Sequence, residues 1–322
     1  MTRSTYFAIL NSHNTELVKS GCQVLRSFYN YLLYHSVCPE YRDDLAQALK
    51  LCDKAETELP KTYAAGLALP GDFNTAASTL FGGSNAGLYT GDKEWAIKCK
   101  QEGVDLQEMG VTDSHARLTF AAGITVMGTD EQQVMMDSKT VKVIEDVSLS
   151  LEVTSIAPPT EITRWMFDQR NDFTPRRFHL KPLGTLVCRS WREDDYSEYD
   201  LPKDKYPNGR PADAEAGKEY EFWIEEDVLK ECFVGMKLQA RVLVLEGGVN
   251  ILDDVAMVKC SFYKCLPNEL LLSYHPKQVN VKERKVGEDS EEELVGKNGE
   301  GEGKMTEDAS MLKEWVEVGN PE

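Results

Sequence analysis

Several motifs that mark common enzymes and metal-binding proteins are missing from this sequence. Its eight cysteines form no C-x-x-C pair, and neither a G-x-S-x-G nucleophile motif nor an H-E-x-x-H zinc motif occurs. The glycine-rich stretch 81–87, Phe-Gly-Gly-Ser-Asn-Ala-Gly, lacks the lysine of a phosphate-binding P-loop, so a turn-forming connection is favoured there. These absences predict no cofactor and no metal site, and they disfavour an enzyme.

Long apolar runs are also missing. No stretch approaches the ~20 apolar residues of a membrane span. The run Phe7-Ala-Ile-Leu10 is too short for the core of a signal peptide. Free, buried thiols are typical of a reducing compartment, so the sequence predicts a soluble protein of the cytosol or nucleus.

Basic residues are outnumbered by acidic ones. The chain has 36 Lys and Arg against 54 Asp and Glu, and its net charge is −18. This balance argues against broad, non-specific binding of nucleic acid or anionic membranes, because both attract cationic surfaces.

Half of the net charge lies in the last residues, 287–322, which hold twelve acidic residues and three lysines. Such a composition predicts a largely disordered acidic tail. Met311, Leu312, Trp315 and Val316 nevertheless form an apolar stripe near its end. This stripe is either an anchor for a pocket in a partner or a helix that docks on the protein's own core.

The first part of the chain has helical periodicity. Apolar residues recur at steps of three and four over 15–35 and 39–59. Pro39 suits a first helical position, so residues 36–38 are predicted to form the corner of an antiparallel helical hairpin. Further helices are predicted at 73–81, 92–103, 113–127 and 130–137.

After Lys139 the hydrophobic period changes to two, which is typical of half-buried strands. The predicted strands are 141–153, 183–189, 219–224, 237–246 and 255–264. Helices followed by strands predict an α+β fold. The predicted organisation is a helical region at 1–138, a strand-rich, mainly antiparallel region at 139–286 and the acidic tail at 287–322.

Two sets of residues invite a catalytic interpretation. His35 and Cys38 are spaced as a base and a thiol nucleophile could be, but catalytic partners are usually distant in sequence. A buried cysteine at a helix corner is therefore preferred. The carboxylates at 225–227 could pair with those at 253–254, although solvated strand ends and a helix start are the preferred interpretation.

One basic segment stands out against the acidic background. Residues 164–192 carry a net charge of +5, with aromatic residues interleaved. Arginines with aromatics suit an acidic protein surface or RNA, whereas pairing with the protein's own acidic residues is the plainer alternative. The candidate partner-binding residues are Arg164, Trp165, Arg170, Arg176, Arg177, Lys181, Arg189, Trp191, Arg192 and, from the tail, Trp315.

Four stretches resemble a known family. They are Phe28-Tyr-Asn-Tyr-Leu-Leu-Tyr-His-Ser-Val-Cys-Pro-Glu-Tyr41, Cys52-Asp-Lys-Ala-Glu-Thr-Glu-Leu59, Leu69-Pro-Gly-Asp-Phe-Asn-Thr-Ala-Ala-Ser-Thr-Leu-Phe-Gly-Gly83 and Gly87-Leu-Tyr-Thr-Gly-Asp92. Together they resemble the fungal Argonaute-binding subunit family of the Argonaute siRNA chaperone (ARC) complex.

The resemblance implies a non-enzymatic protein of the nucleus and cytoplasm. Its partners would be Argonaute, a second Argonaute-binding subunit and, indirectly through Argonaute, duplex siRNA. The implied role is restraint of slicing and passenger-strand release in RNA interference and heterochromatin assembly. Family members usually have a longer N-terminus, which is rich in Lys and Arg and then acidic with prolines, whereas the motif block begins here near residue 20. An RNA contact supplied by such a segment is therefore not carried over to this chain.

Overall fold

The computed structural model describes residues 15–91, 93–102, 110–137, 141–173, 179–191, 217–264 and 277. All of them belong to one compact unit, Met1–Lys277. Helices come first and an antiparallel sheet follows, so the predicted α+β class is confirmed. The predicted tail at 287–322 lies outside the described residues.

The helices of the first half match the predicted order. They are α1 (Thr15–Tyr34), α2 (Arg42–Ala68), α3 (Asp72–Leu80), α4 (Glu94–Gln101), α5 (Asp113–Met127) and α6 (Asp130–Asp137). The second half contains β1 (Val143–Ala157), α7 (Glu161–Phe173), β2 (Leu183–Ser190), β3 (Glu219–Glu225), α8 (Glu226–Leu229), β4 (Lys237–Leu245) and β5 (Asn250–Lys259). No described helix has the length and apolarity needed to cross a membrane.

Helices α1 and α2 form the predicted hairpin. Val18 and Cys22 of α1 pack on Cys52 of α2, and a 3-10 turn at Pro39–Tyr41 leads into the second helix. The predicted end of α2 at residue 59 is wrong, because the helix continues through Pro60 to Ala68.

Tertiary contacts hold α2 in place on both sides of Pro60. The Glu58 carboxylate accepts hydrogen bonds from the Ser261 amide at 2.8 Å and its hydroxyl at 2.7 Å. Ala65 is fully buried in the core beneath the sheet. These contacts offset the backbone hydrogen bond that a proline within a helix cannot donate.

The sheet has the strand order β3-β2-β1-β4-β5, and all its neighbours are antiparallel. The predicted position of the last strand, 255–264, is wrong by five residues. Gly247 and Gly248 form a tight turn, both with positive φ, and the returning strand therefore starts at Asn250. Helix α7 was not predicted at all.

The sheet curls until its two edge strands approach each other. The Asn250 side chain on β5 donates a hydrogen bond to the Glu221 carbonyl on β3 at 3.2 Å. Alternate residues then fill two cores. Tyr220 and Phe222 point into the concave core together with Leu238, while Trp223 faces a second core beneath α3 and α5.

Candidate partner-binding site

Helix α3 lies over the gap where the two edge strands, β3 and β5, approach each other. Hydrogen bonds from the stretch 69–83, which contains the helix, hold it there. Asn74, which is fully buried, donates from Nδ2 to the Trp223 carbonyl of β3 at 2.9 Å. Its Oδ1 accepts the Leu252 amide of β5 at 3.0 Å. One side chain therefore satisfies backbone groups on both edges of the sheet.

The first turn of α3 is capped by a carboxylate from β3. The buried Glu225 accepts the Phe73 amide through Oε1 at 2.6 Å, and its Oε2 has no hydrogen-bond partner among the described residues. Burial raises the pKa of Glu225 to about 7, against the lowering effect of the Phe73 amide. Gly71, at φ +88°, leaves the space that this carboxylate occupies.

A second buried carboxylate holds the glycine-rich stretch after α3. Asp253 accepts the Ser84 amide at 2.9 Å and the Ser84 hydroxyl at 2.6 Å. Arg241 donates to the same carboxylate at 3.1 Å. Because the Ser84 amide donates to Asp253, this amide is already satisfied within the protein. The loop is therefore a turn held by Asp253, in agreement with the turn-forming connection predicted from the sequence.

The interpretation of the acidic residues as solvated strand ends is therefore wrong for two of them. Glu225 and Asp253 are only 2% and 1% exposed. Each accepts a hydrogen bond from a backbone amide in or just after α3. The residues next to them in sequence gave no sign that these carboxylates are buried. Among the described residues, no three His, Cys, Asp or Glu side chains converge as metal ligands.

A cavity of about 190 Å³ lies beside the first turn of α3. Its wall includes Phe167, Leu183 and His115. Burial lowers the pKa of His115, although the charge of Asp72 acts in the opposite direction. The imidazole is therefore neutral near pH 7.

The basic segment does not form one continuous surface. At the start of β2, Arg164 forks onto Glu226 at 3.1 and 3.2 Å. Lys181 lies 3.0 Å from both Asp72 and Asp227. Burial disfavours the charge of Lys181, but its hydrogen bonds to the two aspartates raise its pKa above the ordinary value.

The other end of β2 carries a separate group. Arg189 pairs with Glu152 at 3.2 Å. The Trp191 indole donates to the Leu151 carbonyl at 3.1 Å, and the Lys237 ammonium lies 4.5 Å from its ring centre. Since a strand rises about 3.3 Å per residue, the eight residues of β2 separate the two ends by roughly 25 Å.

Helix α7, which carries Arg164 and precedes β2, presents an exposed apolar face. Trp165 is 61% exposed, and Ile162 and Phe173 are exposed with it. Phe167, on the opposite side, is buried in the core beneath α3 and α5. Arg170 is half-buried.

Both ends of α7 are fixed. The Thr160 hydroxyl accepts the Thr163 amide at 3.1 Å, as an N-cap does. The Asn171 side chain exchanges two hydrogen bonds of 2.8 Å with the Leu180 backbone. The exposed Trp165 is thus carried on a rigid element. The other predicted residues, Arg176, Arg177, Arg192 and Trp315, lie outside the described residues.

The His35 and Cys38 pair occupies the predicted helix corner. The His35 ring packs on Tyr31 and Tyr34, with ring centres 4.4 and 5.0 Å away. The Cys38 carbonyl accepts the Tyr41 amide at 3.0 Å. Both residues thus have structural roles at the hairpin corner.

A second exposed apolar face was missed from the sequence. Helix α1 buries one stripe against α2, while another stripe faces outward with the spacing of a helical surface. Its residues are Leu17, Val24, Phe28 and Tyr31, between 49% and 69% exposed. The sequence did contain a sign of this second face. Apolar and aromatic residues lie on more sides of α1 than a single buried stripe would need.

Comparisons with known proteins identify the family. The family model described as Argonaute siRNA chaperone (ARC) complex subunit Arb1 matches residues 3–276. Argonaute-binding protein 1 of Schizosaccharomyces pombe is 24% identical over 263 residues, which are 79% of this chain and 58% of that protein. The chain thus spans less than two thirds of that relative's length, and no solved structure matches. Because the family model covers most of the chain, this protein belongs to the Arb1 family of ARC complex subunits.

Proposed function

We propose that this protein is a non-enzymatic subunit that binds Argonaute carrying duplex siRNA. The observation that carries the proposal is the Arb1 family match over residues 3–276. The name of the S. pombe relative, Argonaute-binding protein 1, supports the same partner. We also propose that a second Argonaute-binding subunit joins the assembly, and that the protein acts in the nucleus and cytoplasm.

The proposed action is a shift in a conformational balance. If the protein binds duplex-loaded Argonaute more tightly than the strand-separated form, it must favour the duplex-loaded form by the ratio of the two affinities. Slicing and passenger-strand release are then slowed without any chemistry by this subunit. In RNA interference and heterochromatin assembly this would hold siRNA in its duplex state.

Helix α7 supplies a candidate contact for this role. Trp165 has the exposure and the rigid support of an interface anchor, and tryptophan is enriched among residues that dominate binding energy. Arg164, near the start of the same helix, forms an ion pair with Glu226. We therefore assign the partner contact to the apolar face of α7, with Arg164 holding the helix in position.

Direct binding of bare RNA receives less support from the same residues. Arg164, Lys181 and Arg189 all pair with acidic side chains of this protein. Phosphate binding would have to replace these ion pairs, and the net charge of −18 opposes it. RNA contact is therefore proposed to be indirect, through Argonaute.

The test is a reconstitution with Argonaute from the same organism. The protein and Argonaute loaded with duplex siRNA are mixed and separated by size, and guide-directed cleavage is then measured over a range of protein concentrations. Co-elution and slower cleavage are expected. Unchanged cleavage at saturating protein would reject the restraint of slicing, and absence of co-elution would reject Argonaute binding itself.

A further inference from the structure

The outer face of helix α1 carries few charges. Lys19 and Glu16 of the first turn pair with each other at 3.5 Å, and from Ser20 to Val37 the one charged side chain is Arg26. Arg26 is half-buried and hydrogen-bonds to Asp53 at 3.1 Å and to Glu56, both on α2. This neutrality is unusual on a chain in which 28% of residues are charged.

The outer face is also apolar and regularly spaced. Leu17, Val24, Phe28 and Tyr31 recur at steps of seven, four and three, which places them on one side of the helix. Helices that dock in grooves of partner proteins present anchors at this spacing. We call these four residues the α1 outer stripe.

The size of the stripe is that of a functional patch. From the exposure of its four side chains, it offers on the order of 400 Å² of apolar area. Patches of this size on a soluble protein mark interaction sites. One side of a standard protein interface buries about 800 Å², so the stripe amounts to roughly half of such a surface.

The charge pattern selects the class of partner. Nucleic acid and anionic membranes both need lysine or arginine at the contact. Lys19 pairs with Glu16 of the same helix, and Arg26 is engaged by α2. A second copy of this chain, meeting stripe to stripe, would bury only about 800 Å² in total, which is the scale of a crystal contact. An uncharged apolar groove on a larger protein assembly remains.

We infer that the α1 outer stripe docks into an uncharged apolar groove of Argonaute, as a contact additional to the face of α7. The inference rests on the proposed function for the identity of the partner. The hairpin supports such a role, because the buried stripe on α2 holds α1 in place while the outer stripe is presented. The α1 outer stripe alone does not reach the area of a standard interface.

The experiment places two negative charges on the stripe and compares them with the same charges one residue away. The test variant is Val24→Glu with Phe28→Glu. The control is Gln23→Glu with Ser27→Glu, since both of those residues are exposed and polar on the same helix. Binding of each to duplex-loaded Argonaute is measured by titration, and folding is checked by thermal unfolding.

The expected result is an affinity at least about 30-fold weaker for the stripe variant, with less than about threefold change for the control. Equal affinities of the two variants would overturn the inference. If the wild-type protein does not bind duplex-loaded Argonaute either, the proposed function itself is rejected.

Two further measurements cover other outcomes. If the stripe variant unfolds, the single truncation Phe28→Ala is titrated in its place, and an unchanged affinity overturns the inference. Light scattering of wild type and stripe variant without Argonaute detects self-association. A wild-type dimer that becomes a monomer in the variant, with Argonaute affinity retained, would assign the stripe to a second copy and overturn the inference.

Discussion

The Asn74 side chain of helix α3 donates a hydrogen bond to the backbone carbonyl of Trp223 at 2.9 Å. The same side chain accepts the Leu252 amide at 3.0 Å. Trp223 and Leu252 lie on opposite edge strands of the sheet, so one asparagine joins the two edges. The stretch 69–83, one of the stretches that resemble the family, therefore has a structural role: it joins the two edge strands of the sheet.

Replacing Asn74 should destabilise the fold. Asn74→Ala leaves a buried carbonyl and a buried amide without partners, and each costs about 1 to 3 kcal/mol, so a loss of roughly 3 kcal/mol is expected in denaturant unfolding. Asn30→Ala, at an exposed position of α1, is the control and should stay within about 0.5 kcal/mol of wild type. A loss below about 1 kcal/mol at Asn74 would show that water replaces its hydrogen bonds.

Stability should fall with rising pH through the titration of Glu225. Its pKa is about 7 in the folded protein, against an ordinary 4.5, so only the folded state holds this proton between those values. The Glu225 contribution is then greatest below about pH 4.5 and is lost by pH 7, amounting to about 3 kcal/mol.

The measurement for Glu225 compares unfolding free energies of wild type and Glu225→Gln from pH 4.5 to 8. Wild type should lose about 3 kcal/mol relative to the variant over this range. Glu219→Gln, on the exposed side of the same strand, should follow wild type. Parallel profiles for wild type and Glu225→Gln would contradict the burial argument.

The brace on the glycine-rich turn depends on Asp253. Asp253→Ala removes the acceptor of Ser84 and leaves the guanidinium of Arg241 with one carboxylate fewer. Breaking a buried charged network costs about 3 to 5 kcal/mol, and amide exchange of residues 83–85 should accelerate. Asp254→Ala is a matched control, because Asp254 is the next residue, carries the same charge and is exposed. Equal stability of the two variants would mean that Asp253 does not hold the turn.

Removing the exposed tryptophan of α7 should affect binding and not folding. Trp165→Ala is expected to weaken Argonaute binding by at least about tenfold, as an interface anchor does. Its 61% exposure leaves little packing to lose, so the unfolding midpoint should stay nearly unchanged. Asp168→Asn, exposed to one side of the line formed by Ile162, Trp165 and Phe173, serves as control. An affinity of Trp165→Ala equal to that of wild type would remove α7 from the interface.

The thiols should be dispensable for function. Cys38→Ser is expected to retain Argonaute binding and the effect on cleavage, because Cys38 lies at the hairpin corner. Burial raises the pKa of Cys232 to about 12, so an alkylating reagent should label Cys38 well before Cys232 in the folded protein. A Cys38→Ser variant that folds but loses the effect on cleavage would favour a thiol-dependent activity.

Local patterns in the sequence were sufficient for most elements. Helix periodicity located α1 and α5, and alternation located β2, β3 and β4, because these periods depend only on which side of an element is buried. Helix α7 escaped because its outward face is apolar. Its exposed Trp165 and buried Phe167 do not form the single stripe that the pattern requires.

The roles of individual polar residues could not be read in the same way. Arg164 meets Glu226, and Lys181 meets Asp72, across 62 and 109 positions of the chain. Spacing in the sequence says nothing about such pairs, so the basic segment seemed continuous, although β2 separates its ends. The charge of Glu225 is likewise set by its burial under α3.

Composition and periodicity are properties of neighbouring residues, and they were sufficient to predict the α+β class, the helical hairpin and the acidic balance. Burial and hydrogen-bond partners depend on residues that folding brings together from distant parts of the chain. The joining of the edge strands by Asn74, the capping of α3 by Glu225 and the exposed faces of α1 and α7 could therefore be seen in the folded protein alone.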